Sequence, residues 1–478
     1  MTDIRMYVLT SRAFYAPEDP MYRPLQVGSA LHEDLGYERD DTGDNISDQY
    51  DRFCELTGFY WIWKNVKCDV VGISLENRYF CYYEDVIRKY RIESLLNEGY
   101  DVILPETESP CNMLIAKKEI FDRYCEWLFG ILLKKEKQDD QREGKDKNDY
   151  LSFGAQIEKQ FFLDNEYRTV EATVEETDLH LYREAEEAVI KKKEILKKML
   201  NPLILSYAAG NPIDLLPLHP GSYNFHGRLP VWICWWQGEE AMPPIVKACF
   251  DSLRENLPKE RTEIILITFE NAYDFVRFPD FIEEKYRNGI ISLTHLSDIL
   301  RMSLLTLYGG LWLDATYLLT SAPDEALIID RDFYTQCFKE LRYTDEIVVK
   351  GRWTTNLMRT NAWNPLTRFV LNGFYCYFAA NNTILDYFLM DYLTLVAYEE
   401  IPTVKEMIDR CPPSQPELYS MEILLNEAFD EEKWKRLTKE TSFFKLSYKH
   451  IFEDRTKEGK MTYYAKIMEQ YGRDRNDH

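Results

Sequence analysis

The residue types best placed to do chemistry lie within residues 294–316, THLSDILRMSLLTLYGGLWLDAT. Asp298 and Arg301 stand three residues apart, a spacing that puts both on one helix face. Asp314 follows Leu311-Trp312-Leu313, so it emerges at the end of a short apolar strand. Ligands of open α/β sheets bind beyond the carboxyl ends of strands. An acid at that point is suited to holding a metal ion, a sugar hydroxyl, or both. Plainer alternatives stand beside this reading. Asp298 and Arg301 can be an i,i+3 surface pair, Asp314 a turn or capping residue, and Trp235 and Trp236 core side chains rather than stacking platforms. Asp391 reads either as a distant partner of Asp314 or as a helix residue facing solvent.

Hydrophobic spacing predicts the elements that would position these groups. Leu296, Ile299, Leu300, Leu304 and Leu307 follow the helical period. Gly309 supplies a left-handed stop and Gly310 a second flexible position. Upstream, residues 231–236 (VWICWW) read as a strand followed by Gln237-Gly238, residues 244–256 as a Pro-led helix, and residues 263–268 (EIILIT) as a second strand. The β-α-β-α-β order implies a parallel sheet with right-handed crossovers. Downstream, residues 333–339 and 347–350 read as strands, residues 382–398 as a helix carrying Asp386 and Asp391, and the tail from residue 403 as mostly helical.

The N-terminal part contains strand patterns at residues 6–10, 70–74 and 102–104, an aromatic-rich helix at 56–66, and a strand-then-helix at 114–133. Asp40, Asp41, Asp44 and Asp48 cluster around Gly43. A calcium loop would need a bidentate Glu at its twelfth position, and Asp51 stands there, so the stretch reads as a solvated turn with Asx caps. Residues 134–149 form a charge-rich exposed segment, and residues 182–200 a helix with an acidic start and a basic end. Its lysines read either as a solvated face or as a contact for a membrane surface. Pro202, Gly210, Pro212, Pro217, Pro220 and Gly221 mark an irregular connection. The expected organisation is therefore a first domain over 1–180, a helical linker and irregular connection over 181–228, and a second domain over 229–478.

With 478 residues the chain is too long for one ordinary core. The difference 58 − 81 gives a net charge of −23, which argues against general phosphate-backbone binding and hence against nucleic acid as partner. An anionic ligand would need a metal ion or a local basic cluster. The ten cysteines form no C-x-x-C pair and fit reduced, cytosolic thiols. No signal-peptide pattern opens the chain, and no run approaches 18 apolar residues, so no transmembrane segment is expected. There is no Walker-type phosphate loop, no G-x-S-x-G elbow and no H-E-x-x-H helix, and the seven histidines show no ligand spacing.

VWICWWQG with MPPIVKACFDSL, ISLTHLSDILRMSLLTLYGGLWLDAT, LDYFLMDYLTLVAYEEIP and NEAFDEEKWKRLTKETSFFKLSYK together resemble the bacterial capsular polysaccharide synthesis protein family. That family groups with GT-A-type glycosyltransferases akin to the sugar-binding DXD transferases. The resemblance implies a Rossmann-like α/β domain with a mostly parallel sheet. It implies a nucleotide sugar donor, UDP-linked, and a saccharide or lipid-linked saccharide acceptor. Trp235, Trp236, Gln237, Gly238, Ser297, Asp298, Arg301, Gly309, Gly310 and Trp312 would bind the donor, and Asp314 and Asp391 would carry catalysis. Asp314 is the first Asp of the DXD motif and would hold manganese or magnesium with Thr316, which stands where the second Asp is expected. Transfer with retention is the expected outcome, at the inner face of the membrane by peripheral contact.

The segments YRPLQVGSALHEDLGYERDDTGDNIS, CELTGFYWIWKN, DVVGISLENRYF and NMLIAKKEIFDRYCEWLF resemble an uncharacterised, GT-A-like domain family from exopolysaccharide clusters. That family carries His-Tyr-Arg-Arg where this chain has Leu75-Glu76-Asn77-Arg78, which implies a degenerate domain that positions acceptor or partners. The competing class is a non-catalytic saccharide-binding or scaffold protein. A sugar nucleotidyltransferase would need a Gly-rich basic loop near the first strand, and none is present.

Overall fold

In the computed structural model the chain divides between Glu184 and Ala185 into two units. The structure describes residues 2–14, 16–17, 19–82, 85–106, 112–139, 149–176, 179–216, 221, 223–338 and 348–472. Residues 140–148 of the charge-rich segment, Pro217 and Pro220 of the irregular connection, and residues 339 and 347 of two expected strands lie outside the described residues.

The first unit is built on nine strands: β1 (Ile4–Thr10), β2 (Tyr22–Gln26), β3 (Glu38–Arg39), β4 (Val70–Leu75), β5 (Arg78–Tyr82), β6 (Asp85–Val86), β7 (Val102–Glu106), β8 (Leu114–Lys117) and β9 (Thr169–Glu176). They form one sheet in the order β3-β2-β1-β4-β8-β7-β9-β5-β6. β1 pairs parallel with β2 and with β4, in the register Met6↔Tyr22 and Ile4↔Val70. Such a strand is covered on both faces, which is why IRMYVLT is apolar over most of its length. Helices α1 (Leu56–Asn65) and α2 (Lys118–Asp139) supply Phe59, Ile62, Phe121 and Leu128 to the core beside this sheet.

Thr42, Gly43, Asp44 and Asp48 of the acidic loop are exposed and Asn45 accepts from Ser47 N–H at 3.1 Å, as a solvated Asx turn requires, but Asp40 departs from that reading. Asp40 is fully buried and accepts from the backbone N–H groups of Gly28 and Ser29, both at 2.9 Å, and from the hydroxyls of Ser47 and Thr57. The loop is a knot tied by one carboxylate, and the burial of that carboxylate depends on four donors that hydrophobicity does not report.

In the second unit a long helix, α3 (Leu179–Ala208), crosses the boundary and continues from Ala185 onward. Three of its lysines are tied down and two face solvent: Lys193 pairs with Glu399 and Lys197 with Glu400, both at 2.7 Å, and Lys192 pairs with Asp386, whereas Lys191 and Lys198 are exposed. The strands are β10 (Leu229–Cys234), β11 (Thr262–Ile267), β12 (Gly310–Leu313), β13 (Tyr317–Leu319), β14 (Phe333–Thr335), β15 (Leu357–Thr360) and β16 (Phe443–Lys445). Five of them form a sheet in the order β11-β10-β12-β15-β14, and β13 with β16 forms a separate pair. The sheet expected as mostly parallel is parallel across β11, β10 and β12 and antiparallel from β12 through β15 to β14. Helices α4 (Pro244–Asn256) and α5 (Leu293–Tyr308) are the crossovers on either side of β11, and α6 (Pro365–Ala380) and α7 (Leu389–Glu400) follow β15.

Alternation along the central strands assigns side chains to two faces. Val231, Ile233, Leu311 and Leu313 join the core around α4, whereas Trp232 and Trp312 join the core around α5, α6 and α7. Asp314 continues the parity of Trp312 and so belongs to the α5 side.

Four expected elements differ. The strand read over 231–236 is Leu229–Cys234: its register with β11 ends at Cys234↔Ile267, although Trp235 N–H still reaches Ile267 O and Phe269 N–H reaches Trp236 O. The helix read over 382–398 starts only at Leu389, because Asp386 caps a turn by accepting from Phe388 N–H. Of the strand read over 347–350, residues 348–350 form a turn that runs on to Gly351, with Lys350 and Gly351 both at positive φ, and β14, read over 333–339, stops at Thr335.

Asp40→Ala is expected to destabilise the first unit by about 3 kcal/mol, since it strands two buried N–H donors. Thermal unfolding of the full chain, followed by circular dichroism, checks this, with Asp40→Asn showing a smaller loss.

Candidate functional site

Ser292 starts α5 by accepting from His295 N–H, and Gly309, at φ +66°, ends it. Gly309 and Gly310 owe their identity to close backbone packing. A Cβ on Gly309 would lie 2.6 Å from Ala362 N, and one on Gly310, at φ +104°, would lie 2.4 Å from Pro230 O. The two glycines therefore seat β12 between its neighbours, and neither lines the cleft described below.

Asp298 and Arg301 are both buried, so they are no surface pair. Arg301 Nη2 lies 3.4 Å from Asp298 Oδ1 and 3.2 Å from Asp314 Oδ1. Its guanidinium sits 4.8 Å from the centre of the Trp312 ring, and Nη1 faces Met390 Sδ at 3.6 Å. Trp312 Nε1 donates to Asp314 Oδ1 at 3.0 Å. A planar, permanently charged fork on an indole face suits Arg and would not suit Lys. From the C-terminal segment, Lys445 Nζ donates to Thr316 Oγ1 at 2.6 Å and stands 3.7 Å from Asp314 Oδ2. The antiparallel register Tyr317↔Lys445 fixes that approach.

Burial pushes the Asp298 carboxyl up to about 6, against the opposing pull of Arg301 and His295, with Asp314 adding to the rise. Burial likewise pushes the Cys234 thiol up to about 12. Ser297 is the hub beside it: Trp236 Nε1 donates to Ser297 Oγ at 2.7 Å, and that hydroxyl donates to Leu293 O at 3.0 Å.

A cleft of about 400 Å³ opens at this cluster. Asp298, Arg301, Asp314 and Asp391 line it, with Lys192 from α3 and Tyr387 at its edge. Asp391 is buried rather than solvent-facing and accepts from Trp353 Nε1 at 3.2 Å. Trp235, Gln237 and Gly238 do not line the cleft. Trp235 packs edge-on against Tyr448 at 5.4 Å, Gln237 is exposed, and Gly238 turns the chain at φ +86°. Sequence reasoning missed Lys445, Lys192 and Trp353. Lys445 lies 129 residues beyond Thr316, and only strand pairing brings the two together.

The donor set at Asp314 does not fit a divalent ion. Mg²⁺ and Mn²⁺ sites draw on several oxygen ligands, with carboxylates supplying the charge. Here Oδ1 is taken by Arg301 and Trp312, Oδ2 faces an ammonium, and the Thr316 hydroxyl accepts from that same ammonium. Among the described residues no group of three or more His, Cys, Asp or Glu side chains could hold a metal.

Residues 190–467, more than half of the chain, match the model of a family described as capsular polysaccharide synthesis protein. Residues 5–111 and 106–161 match a domain of unknown function, DUF4422. No functionally curated protein matches the chain. Among solved structures it is similar to an apo WbbM bifunctional glycosyltransferase at 15% identity and a TM-score of 0.33, over 98% of this chain and 97% of that one. It is also similar to the PaToxG glycosyltransferase at 14% identity and a TM-score of 0.24, over 52% of this chain and 93% of that one. At those scores neither likeness bears on the chemistry.

The raised Asp298 carboxyl has a signed consequence. Its contribution to stability is fully present below about pH 4 and is lost as pH rises through about 6. Asp298→Asn cannot ionise, so its melting temperature minus that of the wild type should climb between about pH 4 and pH 6 and level off above that. A flat difference in calorimetric scans would show that Asp298 ionises normally.

Proposed function

The chain belongs to the capsular polysaccharide synthesis protein family, and from that membership we propose that it is a glycosyltransferase. It moves a sugar from a nucleoside diphosphate sugar to a saccharide acceptor, free or lipid-linked, during surface polysaccharide synthesis. One observation carries the reading: Asp298, Arg301, Asp314 and Asp391, drawn from α5, the end of β12 and α7, converge on a single cleft of small-molecule size. Asp314 keeps about 29% of its side chain exposed, whereas Asp298 and Arg301 keep 10% and 7%. Asp314 is therefore the group that meets a ribose or sugar hydroxyl, and Arg301 orients it. Asp298, titrating near 6, can hold or give up a proton close to working pH. Asp391 is the second acid we place in the reaction.

The donor nucleotide is taken as UDP and the outcome as retention, both on the strength of the family. The first unit is read as a degenerate GT-A-like domain that positions acceptor or partners. The protein works in the cytoplasm at the inner membrane face; among the described residues no helix is long and apolar enough to cross a membrane. A non-catalytic saccharide-binding or scaffold protein is the second reading, favoured by Thr316 at the position of the second DXD acid.

Titration calorimetry with a panel of nucleotide sugars should return binding for at least one donor; silence across the panel sinks the transferase reading. Asp314→Asn should abolish transfer, a loss of at least about 100-fold, while melting within a few degrees of the wild type. An unchanged rate would make Asp314 purely structural.

A further inference from the structure

Two charge changes coincide at the end of β12. The position of a second acid is Thr316, which removes one negative charge, and Lys445 delivers one positive charge to the same spot. An Asp-x-Asp pair attracts a divalent ion because two carboxylates face one point. Here one carboxylate and one hydroxyl face an ammonium that already bridges them, at 3.7 Å and 2.6 Å. A metal ion at that point would be placed against a fixed like charge.

We propose that the Lys445 ammonium takes the place of the divalent metal, binding the diphosphate of the donor directly. This rests on the transferase reading above. An ammonium has three N–H donors. Thr316 takes one, and Asp314 Oδ2 lies beyond hydrogen-bond distance, so donor capacity remains for phosphate oxygens. Lys445 retains 19% side-chain exposure, against 7% for Arg301, so of these two cations Lys445 is the more accessible to a ligand. Lys445 does not itself line the cleft; it stands beside Asp314, which does. During transfer the bond from the anomeric carbon to the β-phosphate oxygen breaks, and its electron pair stays on that oxygen. The acceptor hydroxyl oxygen forms the new bond to carbon, and its proton passes to solvent. Lys445 offsets the charge gained by the departing diphosphate, and no bond to Lys445 is made or broken.

The test is calorimetry on the full chain with UDP, GDP and dTDP, each with EDTA and again with Mn²⁺. The diphosphate that binds should do so with a Kd that changes less than about threefold between the two buffers. Lys445→Ala should weaken it by about tenfold or more, the scale of one charge-assisted phosphate contact, while Lys445→Arg restores most of the loss. Binding of the matching nucleoside should be unmoved by either variant. The wild-type comparison does not depend on how the variants fold. A Kd that tightens tenfold or more with Mn²⁺, or a Lys445→Ala chain with wild-type affinity, overturns the lysine role and leaves the transferase reading standing. No binding of any diphosphate in either buffer overturns both.

Discussion

Burying a guanidinium is tolerable only if its charge is met, and the second unit is arranged around meeting the charge of Arg301. One carboxylate comes from the same helix three residues earlier, and the other from the end of the adjacent strand. The strand also supplies the indole on which the guanidinium rests. Replacing Arg301 would leave the buried Asp298 carboxyl without its counter-charge, costing about 3–5 kcal/mol. The cluster therefore works as a register pin: in the observed placement of α5 against β12, Arg301 Nη2 meets Asp298 and Asp314, and Trp312 Nε1 meets Asp314, while the buried Arg301 Nε has no hydrogen-bond partner among the described residues. Burial raises the Asp298 carboxyl to about 6 in spite of Arg301 and His295, and the nearby Asp314 adds a smaller push.

That pin depends on backbone geometry that only glycine allows. Gly309 and Gly310 bring the chain from helix to strand within two residues, against the backbone of Thr360 and Pro230. The parity of the strand then divides the work. Leu311 and Leu313 go into the α4 core, and Trp312 and Asp314 go toward α5. A one-residue slip would bury Asp314 among the apolar side chains of the other face. The same strand end leads into β13, whose pairing with β16 delivers Lys445 from far along the chain.

The two units use charge differently. In the first, Asp40 is spent wholly on structure, tying four donors of a loop that looks solvated by composition. In the second, Lys192, Lys193 and Lys197 of α3 pair with Asp386, Glu399 and Glu400, which fastens α3 along α7 at the rim of the cleft, while Lys191 and Lys198 stay exposed. A basic run in a strongly acidic chain is here an internal fastening, and Lys192 is brought to the cleft as a result.

Much of the fold was legible because period and punctuation are local properties. The helix of residues 293–308, its glycine stop, the apolar strand and the acid at its end follow from spacing alone, and so does the β-α-β-α-β order that sets three parallel strands side by side. The sequence also singled out Asp298, Arg301 and Asp314, since an i,i+3 pair and a strand-end acid are recognisable without a partner in view. What it could not decide was whether those groups are buried, because an amphipathic pattern does not show that packing covers the polar face as well, as it does here for His295, Asp298, Arg301, Ser303 and Thr306. Nor could it join Thr316 to Lys445, or Asp391 to Trp353. Those contacts depend on strand register and helix packing between segments far apart in the chain, and only the tertiary structure, by burying them together, turned a missing second acid into a lysine-bridged pair.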